Sequence, residues 1–288
     1  MPTIDVDGTT IAYEIIGEGR PWAITPGGRF SKDAPGVRET AEALAARGQR
    51  VLIWDRPNTG ASGICFGGPS ESQMQADHLA GLLRALDLAP AVVVGGSGGA
   101  RVSLLAAATH PDVASRLAVW WISGGPFGLL TLAMVYCGES IRAAWQDGMQ
   151  AVVELPEWSE VLERNPANRE RFLALDPKEF IATLERWMLV YCPDPTMALP
   201  GLRDEALSEL RVPTLVFRSG ASDPYHTRET SERLQAMIPG ARLAEPPWGD
   251  REWIERSAAA RSGIGALFER WPLLVPQLVD FVENDAAS

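Results

Sequence analysis

Apolar and polar positions alternate with a two-residue period over residues 3–6 and 10–16, on either side of Asp7-Gly8, and this pattern reads as a β-hairpin. Beyond it the period changes. Compact apolar runs at 22–25, 51–54, 91–94, 117–122 and 214–217 have the length of strands buried on both faces. Stretches with helical spacing lie between them, at 37–47 and at 73–86, where Leu79, Leu82, Leu83 and Leu86 share one face. A helix is also expected over 227–237, and a helix or helix pair over 261–282, broken near Pro272 and Pro276. Nearly continuous apolar strands separated by helices predict an α/β fold: a mostly parallel central sheet with helices on both faces.

The alternation lapses between about 125 and 210. That stretch is helical in pattern, punctuated by prolines, with Trp145, Trp158 and Trp187 as expected anchors. It is too long for a loop, so it reads as an inserted helical cap, leaving 1–124 and 211–288 as the core. Residues 117–138 carry no charge, but Gly124-Gly125-Pro126 breaks the run, which reads as a buried strand entering an apolar lid rather than a membrane span.

Composition narrows the partners. A formal net charge of −11 offers no electrostatic footprint for nucleic acid or an anionic membrane, so a small molecule is the expected partner. Cys65, Cys137 and Cys192 form no C-x-x-C pair and read as small buried hydrophobes, and the N-terminus lacks a secretory pattern; both point to the cytoplasm. With three histidines in 288 residues, no metal site and no cofactor are expected. The oligomeric state is open, a homodimer included.

The sharpest motif is Gly95-Gly96-Ser97-Gly98-Gly99, a G-x-S-x-G between an expected strand and an expected helix. Such a turn strains the serine, leaves no room for side chains at Gly95 or Gly99, and points the free N–H groups of the following helix toward the serine oxygen. A phosphate loop is the weaker alternative, since no lysine follows the glycines. With this motif the chain resembles the α/β-hydrolase fold superfamily over essentially its whole length. Asp55-Arg56-Pro57-Asn58-Thr59-Gly60-Ala61-Ser62 is similar to the D-R-P-G-x-G-x-S turn of capped members such as epoxide hydrolases and carbon–carbon bond hydrolases, with Asn58 replacing a glycine. Pro26-Gly27-Gly28-Arg29-Phe30 stands in the place of the family's His-Gly-x-Pro-Gly loop. The resemblance implies that Ser97 is a nucleophile, that the Gly28 and Gly98 N–H groups form an oxyanion hole, and that Asp223 is the triad acid.

The expected histidine is missing. Where the family places it, the chain reads Pro246-Pro247-Trp248-Gly249-Asp250-Arg251-Glu252-Trp253. His110 falls at the far end of the helix that starts beside Ser97, and His78 reads as a surface or helix-packing residue. That leaves His226, three residues after Asp223, as the candidate base. Either Asp223 orients it, or Asp250 does so from the position the histidine vacated; the second is preferred, because so short a separation gives His226 little freedom to reach across the pocket. Asp250 acting as the base itself is a third arrangement. Arg29, Trp121 and Trp248 are the candidate substrate contacts, Arg29 as a cation for a carboxylate; Arg56 is expected to be a surface charge.

The resulting expectation is a cofactor-independent hydrolase of a small apolar or aromatic ester, lactone or ketone. The alternatives are a lyase, isomerase or cyclase on the same fold, and an inactive binding paralogue.

Overall fold

The computed structural model describes residues 1–263 and 265–284. Eight strands form one sheet: β1 (Thr3–Val6), β2 (Thr9–Ile16), β3 (Arg20–Thr25), β4 (Gln49–Trp54), β5 (Ala91–Gly96), β6 (Ala114–Trp120), β7 (Thr214–Phe217) and β8 (Arg242–Ala244). Their order is β1-β2-β4-β3-β5-β6-β7-β8, with β1 and β2 antiparallel and the rest parallel. The hairpin and five inner strands fall where the apolar pattern placed them. β8 has three residues and no apolar run, so periodicity alone does not reveal it.

Among the described residues twelve α-helices accompany the sheet: α1 (Val37–Ala45), α2 (Glu71–Ala85), α3 (Gly98–Thr109), α4 (Pro126–Ala133), α5 (Glu139–Val152), α6 (Ser159–Arg164), α7 (Ala167–Leu173), α8 (Pro177–Leu189), α9 (Asp204–Glu209), α10 (Arg228–Met237), α11 (Glu252–Arg261) and α12 (Val275–Asn284). The C-terminal expectation needs correction, because α11 begins at Glu252 and a short 3-10 turn at Trp271–Leu274 leads into α12.

Successive strand residues explain why the inner runs lack polar positions. Leu52, Val93, Leu117, Val119 and Val216 pack with α2, α3, α9 and α10. Their neighbours Ile53, Val92, Val94, Ala118, Leu215 and Phe217 pack with α1, α12 and Trp271. With both faces covered, alternation would have buried unpaired polar groups.

Between β6 and β7 the helices α4 to α8 pack around a third cluster that includes Trp158, Phe172, Phe180 and Trp187. Trp145 departs from expectation and is 70% exposed. Cys192 is likewise exposed, while Cys137 is buried. Residues 117–138 divide into β6, a break at 121–125, α4 and a π-helical turn at Met134–Gly138. Among the described residues no helix is long and apolar enough to cross a membrane.

Polar links tie this helical layer to the turn after β4. Asn168 on α7 is fully buried; its Oδ1 accepts the Ile64 N–H at 3.2 Å, and its Nδ2 donates to the carbonyls of Ser62 at 2.9 Å and Val161 at 3.1 Å. Asn168→Ala leaves those buried backbone groups unpaired and is expected to cost about 1–3 kcal/mol, read as a lower urea midpoint at unchanged slope.

Candidate active site

The site forms where the sheet reverses its winding. β4 lies on one side of β3 and β5 on the other, so the loops leaving β3 and β5 face each other across a crevice at the strands' carboxyl ends. Ser97 occupies the one-residue turn between β5 and α3, with φ 56° and ψ −120°, a region that a residue with a side chain enters only when the surroundings impose it. The glycines around it permit the turn. A Cβ on Gly95 would stand 2.6 Å from the Gly99 carbonyl, and one on Gly99 would collide with the Thr25 carbonyl oxygen.

The loop after β7 supplies the other two candidates. His226 Nε2 lies 2.9 Å from Ser97 Oγ, and His226 Nδ1 lies 2.8 Å from Asp223 Oδ2. Asp223 Oδ1 accepts the backbone N–H groups of Tyr225 at 2.9 Å and His226 at 3.0 Å. These two bonds make the local turn that folds the chain back, so the imidazole projects over the carboxylate preceding it. With Nδ1–H donating to Asp223, Nε2 is left with a lone pair facing the serine hydroxyl. Burial pushes the Asp223 carboxyl up, but His226 and the two N–H groups more than offset it and hold the group below the usual carboxylate value. Stability from this network is therefore present above the ordinary carboxylate pKa and is lost as the pH falls through the depressed one.

The preferred pairing of His226 with Asp250 is overturned. Asp250 is exposed and pairs with Arg228, whereas Asp223 is buried against the imidazole. The expectation failed because it treated the three-residue separation as an extended span, when the Asp-Pro-Tyr-His segment closes into a turn. His110 and His78 stand away from this centre: His110 caps α3 and lies 2.8 Å from Asp77, and His78 is buried with Nδ1 at 2.7 Å from the Met74 carbonyl.

The Gly28 amide nitrogen lies 3.2 Å from the point where a Cβ on Gly98 would stand, so the two backbone segments come together beside Ser97. Gly28 has φ +52°, which favours glycine. Arg56, expected at the surface, is instead buried beneath this loop. Its Nη2 donates to the carbonyls of Gly28 at 2.7 Å, Phe30 at 3.2 Å and Gly27 at 3.3 Å. Burial lowers its pKa to about 10, so it remains charged at neutral pH.

Arg29 is not free for a substrate. It pairs with Glu71 at 3.3 Å, donates to the Tyr136 carbonyl at 2.8 Å and lies 4.4 Å over the Trp158 ring, binding the helical layer to the core. Trp121 stacks on His226 with ring centres 6.3 Å apart. Trp248 packs against Trp121, with ring centres 5.7 Å apart, as part of the core cluster.

The model of the alpha/beta hydrolase family matches residues 22–271. The chain belongs to that family. Among solved structures it is similar to an enol-lactonase from Burkholderia xenovorans LB400, at 24% identity over 98% of this chain and 99% of that one, with a TM-score of 0.58. It is also similar to Est816, an N-acyl homoserine lactone degrading enzyme, at 24% identity over 91% and 98% with a TM-score of 0.56. A thermophilic esterase from Thermogutta terrifontis matches at 21% identity over 92% and 97%, again at 0.56. These likenesses establish the shared fold. Among curated proteins no sequence matches the chain.

Within this alpha/beta hydrolase site, sequence reading missed Arg256. It stands on α11, 3.8 Å from Asp223 Oδ2 and 4.1 Å over the Trp121 ring, and is held by Glu252 at 2.7 Å. The signal was the Glu-to-Arg spacing of four within an early α11. A fluorophosphonate probe is expected to label Ser97; Asp223→Asn should slow labelling by about 10³–10⁴-fold, and Asp250→Asn by no more than about threefold. Equal slowing by both would contradict the arrangement.

Proposed function

We propose that this alpha/beta hydrolase cleaves small esters or lactones through a covalent acyl–Ser97 intermediate, with His226 as general base and then general acid, and Asp223 as its orienting partner. The observation that carries the reading is the unbroken relay from Ser97 Oγ to His226 Nε2 at 2.9 Å and from His226 Nδ1 to Asp223 Oδ2 at 2.8 Å. A serine hydroxyl without an adjacent base is a weak nucleophile, and this relay supplies the base that the usual position lacks.

Ser97 Oγ attacks the carbonyl carbon while its proton passes to His226 Nε2. The carbonyl oxygen becomes an oxyanion facing the Gly28 and Gly98 N–H groups, where preorganised dipoles and the N-terminus of α3 favour negative charge. Collapse expels the alkoxide, which takes the proton from Nε2; in a lactone that hydroxyl stays tethered to the acyl group. Water then attacks the acyl–enzyme, giving its proton to His226, and the acid departs as Ser97 recovers its own. Asp223 stays ionised and stabilises the imidazolium formed in each half. The complete relay and the strained Ser97 count against a binding-only role.

With p-nitrophenyl acetate, mass spectrometry of the quenched enzyme is expected to find an acetyl group on Ser97. His226→Ala should lower kcat by about 10⁴-fold or more while the far-ultraviolet circular dichroism is unchanged. Turnover that survives Ser97→Ala would overturn the covalent mechanism.

A further inference from the structure

Three arginines, Arg56 and Arg101 buried and Arg29 largely so, meet where α2, α3 and the oxyanion loop join the helical layer, and one of them is matched by a carboxylate. Arg29 has Glu71, which also accepts from Asn58 Nδ2 at 3.2 Å. Arg56 holds loop carbonyls and the Gln75 side chain, and its Nε–H has no partner. Arg101, on the first turns of α3 and 2% exposed, donates only to hydroxyls: Ser72 Oγ at 3.3 Å, Ser123 Oγ at 2.7 Å and the Tyr191 hydroxyl at 2.9 Å. Among the described residues neither Arg56 nor Arg101 has a carboxylate within ion-pair distance. Asp55, next to Arg56 in sequence, gives its oxygens to the N–H groups of Lys32 and Ala61.

Burying a guanidinium without a counter-charge is expensive, and apolar side chains of similar volume fill a core better. Arg56 has a structural reason to be there, because it gathers three carbonyls of the oxyanion loop. Arg101 lies over the rings of Tyr191 at 5.1 Å and Tyr136 at 5.9 Å, but each of its hydrogen bonds joins it to a neutral hydroxyl and none to a counter-charge. The Ser123 and Tyr191 hydroxyls stand on Nη1 and Nη2 as the two oxygens of a carboxylate would in a forked pair. Tyr191 comes from the end of the helical layer, just beyond α8, so its side chain is the element that would make way.

We infer that the substrate carries a carboxylate on its acyl portion, a few carbons from the scissile carbonyl, and that Arg101 receives it while the Arg56 charge adds to the positive potential there. This rests on the proposed attack by Ser97. The carboxylate belongs on the acyl side because the leaving oxygen must face His226 to be protonated, whereas Arg101 sits one helical turn along α3 from Ser97, bonded to Ser72 of α2 and to Ser123 beyond β6. In a chain of net charge −11, this buried surplus of positive charge is what would select an anion.

The test compares mono-p-nitrophenyl glutarate with p-nitrophenyl valerate, a neutral ester of equal acyl length. The wild-type enzyme is expected to favour the glutarate by at least about 30-fold in kcat/KM, mostly through KM, and Arg101→Gln to reduce that ratio to about one or below. Tyr191→Phe, which removes one neutral partner and keeps the guanidinium, should keep or raise the ratio. Because Arg101→Gln could fail to fold, the wild-type protein is also heated with free glutarate and with valeramide; glutarate should raise Tm and valeramide should not. Equal or better turnover of the valerate, or no Tm rise with glutarate, overturns the anion site. If neither ester is turned over and Ser97 is not acylated, the hydrolase reading fails, while the glutarate Tm shift still decides whether Arg101 receives a carboxylate.

Discussion

The site depends on one carboxylate closing one turn. Asp223 spends one oxygen on the backbone of Tyr225 and His226 and the other on the His226 ring, so a single buried group sets both the path of the loop and the direction of the imidazole. If either set of bonds were lost, the three-residue separation would no longer bring the ring to Ser97. This also explains how the chain manages without a histidine after β8. The ring reaches the serine from the same loop as Asp223, and Asp250, which follows β8, forms an ion pair at the surface.

The surroundings of that turn are unusually cationic for an acidic protein. Arg256 approaches Asp223 from α11 and lies over Trp121, which also stacks on the His226 ring, so aromatic stacking and charge together limit how far the imidazole can swing. Arg56 fixes the carbonyls of the loop after β3, and Arg29 fastens that loop to the helical layer. The components of the site are thus held from behind by cations, each acting over a few ångströms in a poorly solvated region where such interactions are strong.

The features legible in the sequence are those imposed by local sterics or by burial. The strands β3 to β7 follow from apolar runs, and the elbow follows from glycines at 95 and 99 that no other residue can replace beside Thr25 and Gly99. Between β6 and β7 the chain forms mainly helices up to Leu189, but residues 190–203 run in turns with one isolated pairing of Leu199 with Leu202 before α9. What could not be read are the partners chosen in three dimensions. Arg29 and Arg56 are adjacent to the right loops in sequence, yet only the fold shows that one is consumed by Glu71 and the other buried beneath Gly28. Arg101 carries no motif at all. Spacing alone favours Asp250 over Asp223, but spacing limits reach only for an extended chain, and the turn that Asp223 closes escapes that limit.

The proton between His226 Nδ1 and Asp223 reports this arrangement most directly. In isotope-labelled protein, proton NMR should show a histidine N–H resonance far downfield of the amide region, assigned to His226 Nδ1. The account predicts that the signal disappears in Asp223→Asn and persists in Asp250→Asn. A signal that survives the first substitution and vanishes in the second would contradict it.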